Sequence, residues 1–182
     1  MTNDQLIQQL NEAVSLEFGA FHMYLHFSLV LQGEPRLRWH EFFEAQSQEA
    51  LGHAKLFSGK IVARGGIPTS QPVAFRRTTD LTEMLRISVA TEARAVQLYT
   101  ALHALVEGQD KPLQYLLEQQ IQDEQDDVEE MMKYLGSLGT GTVPTARSAR
   151  SKTAVEPTVA RGYQGAAAHK ASSAKATARR AP

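Results

Sequence analysis

Four long stretches of this sequence repeat apolar residues at three- and four-residue spacing, and each apolar stripe is interrupted near its middle by a carboxylate or an imidazole. That spacing is the period of a helix that buries one face. The first stripe reads Leu6, Leu10, Val14, Glu17, Phe21, Tyr24, Ser28 and Leu31. The third reads Leu81, Leu85, Val89, Glu92, Val96, Tyr99 and Val106, so a tyrosine follows seven residues after the carboxylate in both. The second carries Trp39, Phe43, Gln46, then Glu49 or Ala50, His53 and Phe57. The fourth carries Leu113, Leu117, Gln120, Glu124, Asp127, Met131 and Tyr134. Every stripe therefore brings polar atoms into what its other members make a core, where an unpaired charge is costly.

Glycine, proline and capping residues divide the four stretches. The first helix is expected from about Asp4 to Gln32, ending at Gly33-Glu34-Pro35, and the second from about Arg36 to Arg64, stopped by Gly65-Gly66. The third opens at Asp80 with Glu83 three residues on, the pattern of a capping box. Gly108-Gln109-Asp110 separates it from a fourth helix over about Lys111 to Ser137. The first and last connections are short, whereas Gly65 to Thr79 is a roughly fifteen-residue aperiodic segment with two prolines. The fold class that follows is all-α: a four-helix bundle of two antiparallel hairpins joined by a long crossover.

Counting from the tight turns places the polar groups in depth. Glu17 lies seventeen residues before Glu34 and His53 nineteen after it; Glu92 lies seventeen before Gln109 and Asp127 eighteen after it. At about 1.5 Å per residue, all four helices bring their polar residues to one level, roughly 25 Å from the turns. One inward Glu can snorkel, and one inward His is usually a hydrogen-bonded core residue. Five carboxylates and an imidazole at one depth repel one another unless cations sit among them. The chain contains no cysteine, so those cations must be held by oxygen and imidazole nitrogen, which favours hard or borderline metals.

The motifs that carry these residues resemble those of the ferritin and bacterioferritin family over about residues 4–138. Leu10-Asn11-Glu12 with Leu16-Glu17 and Tyr24 resembles the first-helix signature, and Glu49-Ala50-Leu51-Gly52-His53-Ala54 the second-helix segment. Gly65-Gly66-Ile67-Pro68 resembles the start of the crossover, and Asp123-Glu124-Gln125-Asp126-Asp127 the fourth-helix motif. The resemblance implies a ferritin-like bundle with two irons per subunit, held by Glu17, His53, Glu92, Glu124 and Asp127. It also implies ferroxidase activity with dioxygen or peroxide as oxidant, for iron storage or detoxification, and assembly of identical subunits into a cage.

Three positions depart from the family pattern. Ala50 stands where the family has a metal-ligating Glu, three residues before the His; Glu49, four before it, shares the same helical face and is expected to serve instead. Leu51 stands where bacterioferritins carry a haem-ligating methionine, so no haem is expected. No apolar fifth helix follows Leu138, which leaves the size of the cage open. Tyr24 is the tyrosine expected beside the metals, bonding to a ligand or donating an electron; Tyr99 is expected chiefly as core packing. His22 and His26 point away from the stripe and are expected at the surface or a subunit contact.

Net charge divides sharply after Thr140. Residues 141–182 hold eight basic residues against Glu156, or +7, leaving −8 on residues 1–140. That tail is Ala, Ser, Thr, Gly and Pro with almost no large apolar side chain, the composition of a disordered extension. Two parts are thus expected: a bundle over 1–140 and a basic tail over 141–182. Spaced Lys and Arg on such a tail can neutralise DNA phosphates without reading sequence. The alternative function is accordingly a ferritin-derived DNA-binding or structural protein with a weak or lost ferroxidase centre. No stretch reads as a membrane span or a secretory leader, and a cytoplasmic location is expected.

Overall fold

A computed structural model of the chain describes residues 2–140. The tail expected over 141–182, with its disorder and its DNA contacts, lies outside the described residues. Four helices make up the body: α1 (Asn3–Val30), α2 (Gly33–Val62), α3 (Leu81–Val106) and α4 (Lys111–Thr140). α1 packs along α2 and α3 along α4, with a further contact between α1 and α3. Among the described residues, no helix is long and apolar enough to cross a membrane.

The first turn is tighter than the sequence suggests. Only Leu31 and Gln32 separate α1 from α2, and Gly33-Glu34-Pro35 forms the first turn of α2 rather than a loop. Proline fits there because the amide it lacks would have no helical partner in a first turn. Gly33 takes φ +64°, a left-handed conformation that only glycine adopts cheaply. Arg36 then reaches back, its Nη1 donating to the Ser28 and Leu31 carbonyls at 3.1 and 3.4 Å and satisfying acceptors that the end of α1 leaves open.

Asp80 caps α3 by accepting from the Glu83 amide at 2.8 Å, but the expected box is not completed. The Asp80 amide donates to Thr78 Oγ1, and Glu83 pairs with Arg76 at 2.8 Å. α4 runs to Thr140, three residues beyond the expected end. The buried face of α3 is also rotated from the expected stripe. Met84, Ser88, Ala95 and Leu102 are buried, while Leu81, Val89 and Val96 flank the core half-buried. Small Ser88 and Ala95 let the helix approach closely, and the Ser88 hydroxyl is satisfied by the Met84 carbonyl at 2.9 Å.

The crossover is bound to the outer side of α1 through three residues spaced by four. Asn11 accepts from the Thr69 amide at 2.6 Å and donates to the Ile67 carbonyl at 3.3 Å. Ser15 donates to the Gln71 carbonyl at 2.7 Å, and its own carbonyl accepts from the Val73 amide at 2.9 Å. One turn on, a Cβ at Gly19 would stand 2.7 Å from the Val73 carbonyl oxygen, so a side chain there would push the segment off. Asn11, Ser15 and Gly19 together seat the crossover and hold α1 in the register that points Glu17 inward.

Two apolar clusters fill the bundle, one above and one below the polar level. The first holds Leu6, Leu10, Val14, Phe57, Ile61, Leu102, Leu113 and Leu117. The second holds Met23, Tyr24, Phe27, Phe43, Met84, Leu85 and Met131. The carboxylates lie between them.

Candidate metal centre

Each helix delivers its polar residue to that level because the flanking apolar residues fix its rotation. Glu17 on α1, Glu92 on α3 and Glu124 on α4 are buried, at 3%, 5% and 3% exposure. The His53 side chain on α2 is 12% exposed. Its Nδ1 stands 2.8 Å from Glu124 Oε1 and 3.8 Å from Glu17 Oε2. Glu17, His53 and Glu124 each offer one ligand atom, and all three atoms lie within 4.8 Å of one another. Two donors bound to one ion at about 2.1 Å and at right angles stand about 3 Å apart, so this triad has the dimensions of a single-ion site.

Two tyrosines cross between the first and third helices. The Tyr99 hydroxyl of α3 donates to Glu17 Oε1 of α1, and the Tyr24 hydroxyl of α1 donates to Glu92 Oε1 of α3. The paired spacing of Glu17/Tyr24 and Glu92/Tyr99 is thus the trace of a reciprocal arrangement, in which each tyrosine serves the other helix's carboxylate. Tyr99 was expected as packing; it also fills that role, with its ring 5.0 Å from that of Phe57.

Burial dominates the electrostatics. It raises the Glu17 carboxyl from 4.5 to about 7; His53 pulls the other way, while Glu92 and Glu49 push it further up. Burial likewise holds Glu92 and Glu124 well above the usual carboxylate range; the charge of Glu124 adds to the effect at Glu92, and that of Glu17 adds to it at Glu124, where a hydrogen bond with Glu92 acts in the opposite direction. Tyr24 and Tyr99 are pushed well above 10, again by burial first and then by the carboxylates they face. Glu124 Oε1 is buried and accepts no hydrogen bond, since the close approach of His53 lacks hydrogen-bond alignment. A buried oxygen with an unused lone pair, beside an imidazole and two further carboxylates, fits a divalent cation.

The six expected ligand positions fall into three groups. Glu17, His53 and Glu124 converge directly. Glu92 joins them through a hydrogen-bonding contact with Glu124. Glu49 and Asp127 are half-buried at the edge; the charge of Glu49 acts on Glu17 and Glu124, and that of Asp127 on Glu92 and Glu124. At the inward position of α2 stands Ala50, 5% exposed. His22 is exposed and His26 half-buried, with the His26 ring 5.7 Å from that of Phe75 on the crossover.

Comparison with known proteins converges on one family. The family model described as Ferritin-like domain matches residues 7–140. A bacterial non-heme ferritin of Bacteroides fragilis strain 638R is 33% identical over 67 residues, 37% of this chain and 42% of that protein. The chain thus matches about two fifths of that curated relative's length. Among solved structures, a ferritin-like, diiron-carboxylate protein of Bacillus anthracis strain Ames superposes with a TM-score of 0.71 at 30% identity, over 74% of this chain and 99% of that one. A dodecameric thioferritin, the bacterioferritin-related protein of Bacteroides fragilis, gives a TM-score of 0.70 at 22% identity, over 78% and 90%. At that identity the likeness is one of fold.

Proposed function

The chain belongs to the ferritin-like domain family, and from that premise we propose that it binds two iron(II) ions inside each subunit and oxidises them with dioxygen or peroxide, for iron storage or detoxification. The observation that carries this reading is the convergence of Glu17, His53 and Glu124 with Glu92 adjoining, a buried group of three carboxylates beside one imidazole. Such a group is electrostatically incomplete without cations.

In this reading Glu17, His53 and Glu124 hold one iron, and Glu92, Glu124 and Asp127 the other, with Glu124 shared. Glu49, from the edge, supplies the α2 carboxylate that Ala50 cannot. Oxygen and imidazole donors stabilise both iron(II) and iron(III) and leave coordination positions for the oxidant. The protein's own contribution is positional: Tyr99 fixes the orientation of Glu17 and Tyr24 that of Glu92, so the carboxylates are set before the ions arrive. Identical subunits are proposed to assemble into a cage that receives the oxidised iron.

Anaerobic iron(II) titration followed by oxygen tests the reading. Two ions per subunit, fast oxidation on adding oxygen, and loss of both in Glu17→Ala are expected. Wild-type protein that takes up no stoichiometric iron(II) would sink it.

The charge division at Thr140 favours a second partner as well. The +7 segment over 141–182 is proposed to bind DNA non-specifically, since clustered cations that neutralise phosphates release their counterions. In a gel-shift titration, full-length protein should retard duplex DNA at low salt and a version ending at Thr140 should not. Equal retardation by both would remove the tail from that role.

A further inference from the structure

Gln120 carries a buried acceptor that the folded chain leaves unused. The residue is 9% exposed and stands one turn before Glu124 on the inward face of α4, following Leu113 and Leu117, which are buried. Its Nε2 donates to Asp123 Oδ2 at 3.4 Å, while its Oε1 is buried and accepts no hydrogen bond. Taking such an oxygen out of water without a donor costs on the order of 1–3 kcal/mol, and a leucine would continue the apolar stripe without that cost. Asp123 also fixes which way the amide faces: a carboxylate accepts, so it takes the NH2 group and turns the oxygen the other way.

The facing helix holds the complementary deficit. α2 and α4 run antiparallel, since Arg64 pairs with Asp110 at one end of the bundle and Trp39 meets Tyr134 at the other. Gln120 thus lies level with α2 residues at and beyond His53. His53 Nδ1 points at the metal position, 2.8 Å from Glu124 Oε1 and 3.8 Å from Glu17 Oε2. A neutral imidazole that gives Nδ1 to a cation carries its hydrogen on Nε2. That Nε2 has no hydrogen-bond partner among the described residues. Other interior donors are committed or out of range. Tyr24 and Tyr99 donate to Glu92 and Glu17, and Ser28 and Ser88 to carbonyls of their own helices. Ser47, its hydroxyl unpaired, lies nearly two turns to the far side of His53.

We propose that Gln120 is the positioning residue of the centre's imidazole: when His53 Nδ1 turns to a divalent cation, Gln120 Oε1 accepts a hydrogen bond from His53 Nε2. The proposal rests on the reading of Glu17, His53 and Glu124 as metal ligands. Glu124, which His53 already meets, is one turn from Gln120 on the same face, about 6 Å along the helix, within the swing of two facing side chains. A hydrogen bond at the second nitrogen fixes the tautomer and the plane of a ligand imidazole and raises its basicity. The bond forms with the bound ion, so the amide destabilises the metal-free bundle and stabilises the loaded one.

Redox-inert zinc(II), titrated into metal-free full-length protein against a chromophoric chelator, tests the proposal in wild type and in Gln120→Leu. The variant should melt at or above the wild-type temperature without metal, because it loses an unpaired acceptor. It should bind zinc(II) about 10- to 100-fold more weakly, the range for loss of a partner that orients a ligand. Nitrogen-15 labelling of histidine gives a second readout. In the zinc-loaded wild type the Nε2 proton of His53, identified by its loss in His53→Gln, should exchange slowly with water; in Gln120→Leu it should exchange too fast to be seen. Equal zinc(II) affinity in the two proteins, or a His53 proton equally protected in both, would overturn the proposal and leave the ligands standing. Should the leucine variant unfold, Gln120→Met takes its place, and an unprotected His53 proton in the zinc-loaded wild type overturns the proposal with no variant at all. A Glu17→Ala control separates the two readings: wild type that binds zinc(II) no more tightly than Glu17→Ala removes the metal centre, and the proposal with it.

Discussion

A Glu124→Ala variant is expected to lose stoichiometric iron(II) binding at both positions, with affinity down by roughly 100-fold or more. Loss of a group that merely orients a ligand costs about 10- to 100-fold in metal affinity, and a ligand placed between two ions costs more. Glu124 is the one carboxylate that meets both sides of the site: His53 Nδ1 stands 2.8 Å from its Oε1, and its carboxyl also bonds with Glu92. Asp127→Asn, by contrast, removes a charge only from the side of Glu92 and Glu124 and is expected to leave one tight ion. Anaerobic calorimetric titration with iron(II), or with cobalt(II) read by its visible bands, distinguishes the two. A two-site isotherm in Glu124→Ala, in protein whose circular dichroism matches the wild type, would mean that Glu124 is not the shared ligand.

The helical count, the long crossover and the common depth of the polar residues were legible because they follow from spacing alone. Glu17, His53, Glu92 and Glu124 are interior for the reason the stripes suggest, since their apolar neighbours fix the rotation of each helix. Other features depend on contacts that no single stripe contains. Gly33-Glu34-Pro35 reads as a break because glycine and proline usually end helices, yet Arg36 closing over the α1 carbonyls lets α2 begin at once. The rotation of α3 is set by Ser88 and Ala95, whose small size matters only against a neighbouring helix. Asn11, Ser15 and Gly19 look like ordinary surface positions until the crossover lies on them. The reciprocal bonds of Tyr24 and Tyr99 left a visible mark, the repeated seven-residue spacing, but spacing within a helix cannot show that each hydroxyl crosses to the other.

Metal-free protein is expected to lose stability as pH rises from about 5 to 8, and metal is expected to reverse the trend. The Glu17 carboxyl stands at 4.5 when exposed and about 7 in the fold, so between those values the folded chain holds a proton that the unfolded chain has released. Its contribution is present in full below 4.5 and is lost as pH rises through 7, an amount on the order of 3 kcal/mol. Glu92 and Glu124 are shifted in the same direction by the same burial and add to the effect. For a domain of this size the summed change corresponds to a melting temperature lower by roughly ten degrees at pH 8 than at pH 5. Bound cations take the place of those protons, so binding releases protons and strengthens with pH. The gap in melting temperature between metal-free protein and protein saturated with redox-inert zinc(II) should therefore widen across the same window. Glu17→Gln, neutral at every pH, should flatten the metal-free profile near 7. A metal-free melting temperature that climbs steadily from pH 5 to 8 would show that the buried carboxyls are already ionised in the fold, and that no electrostatic deficit awaits a cation.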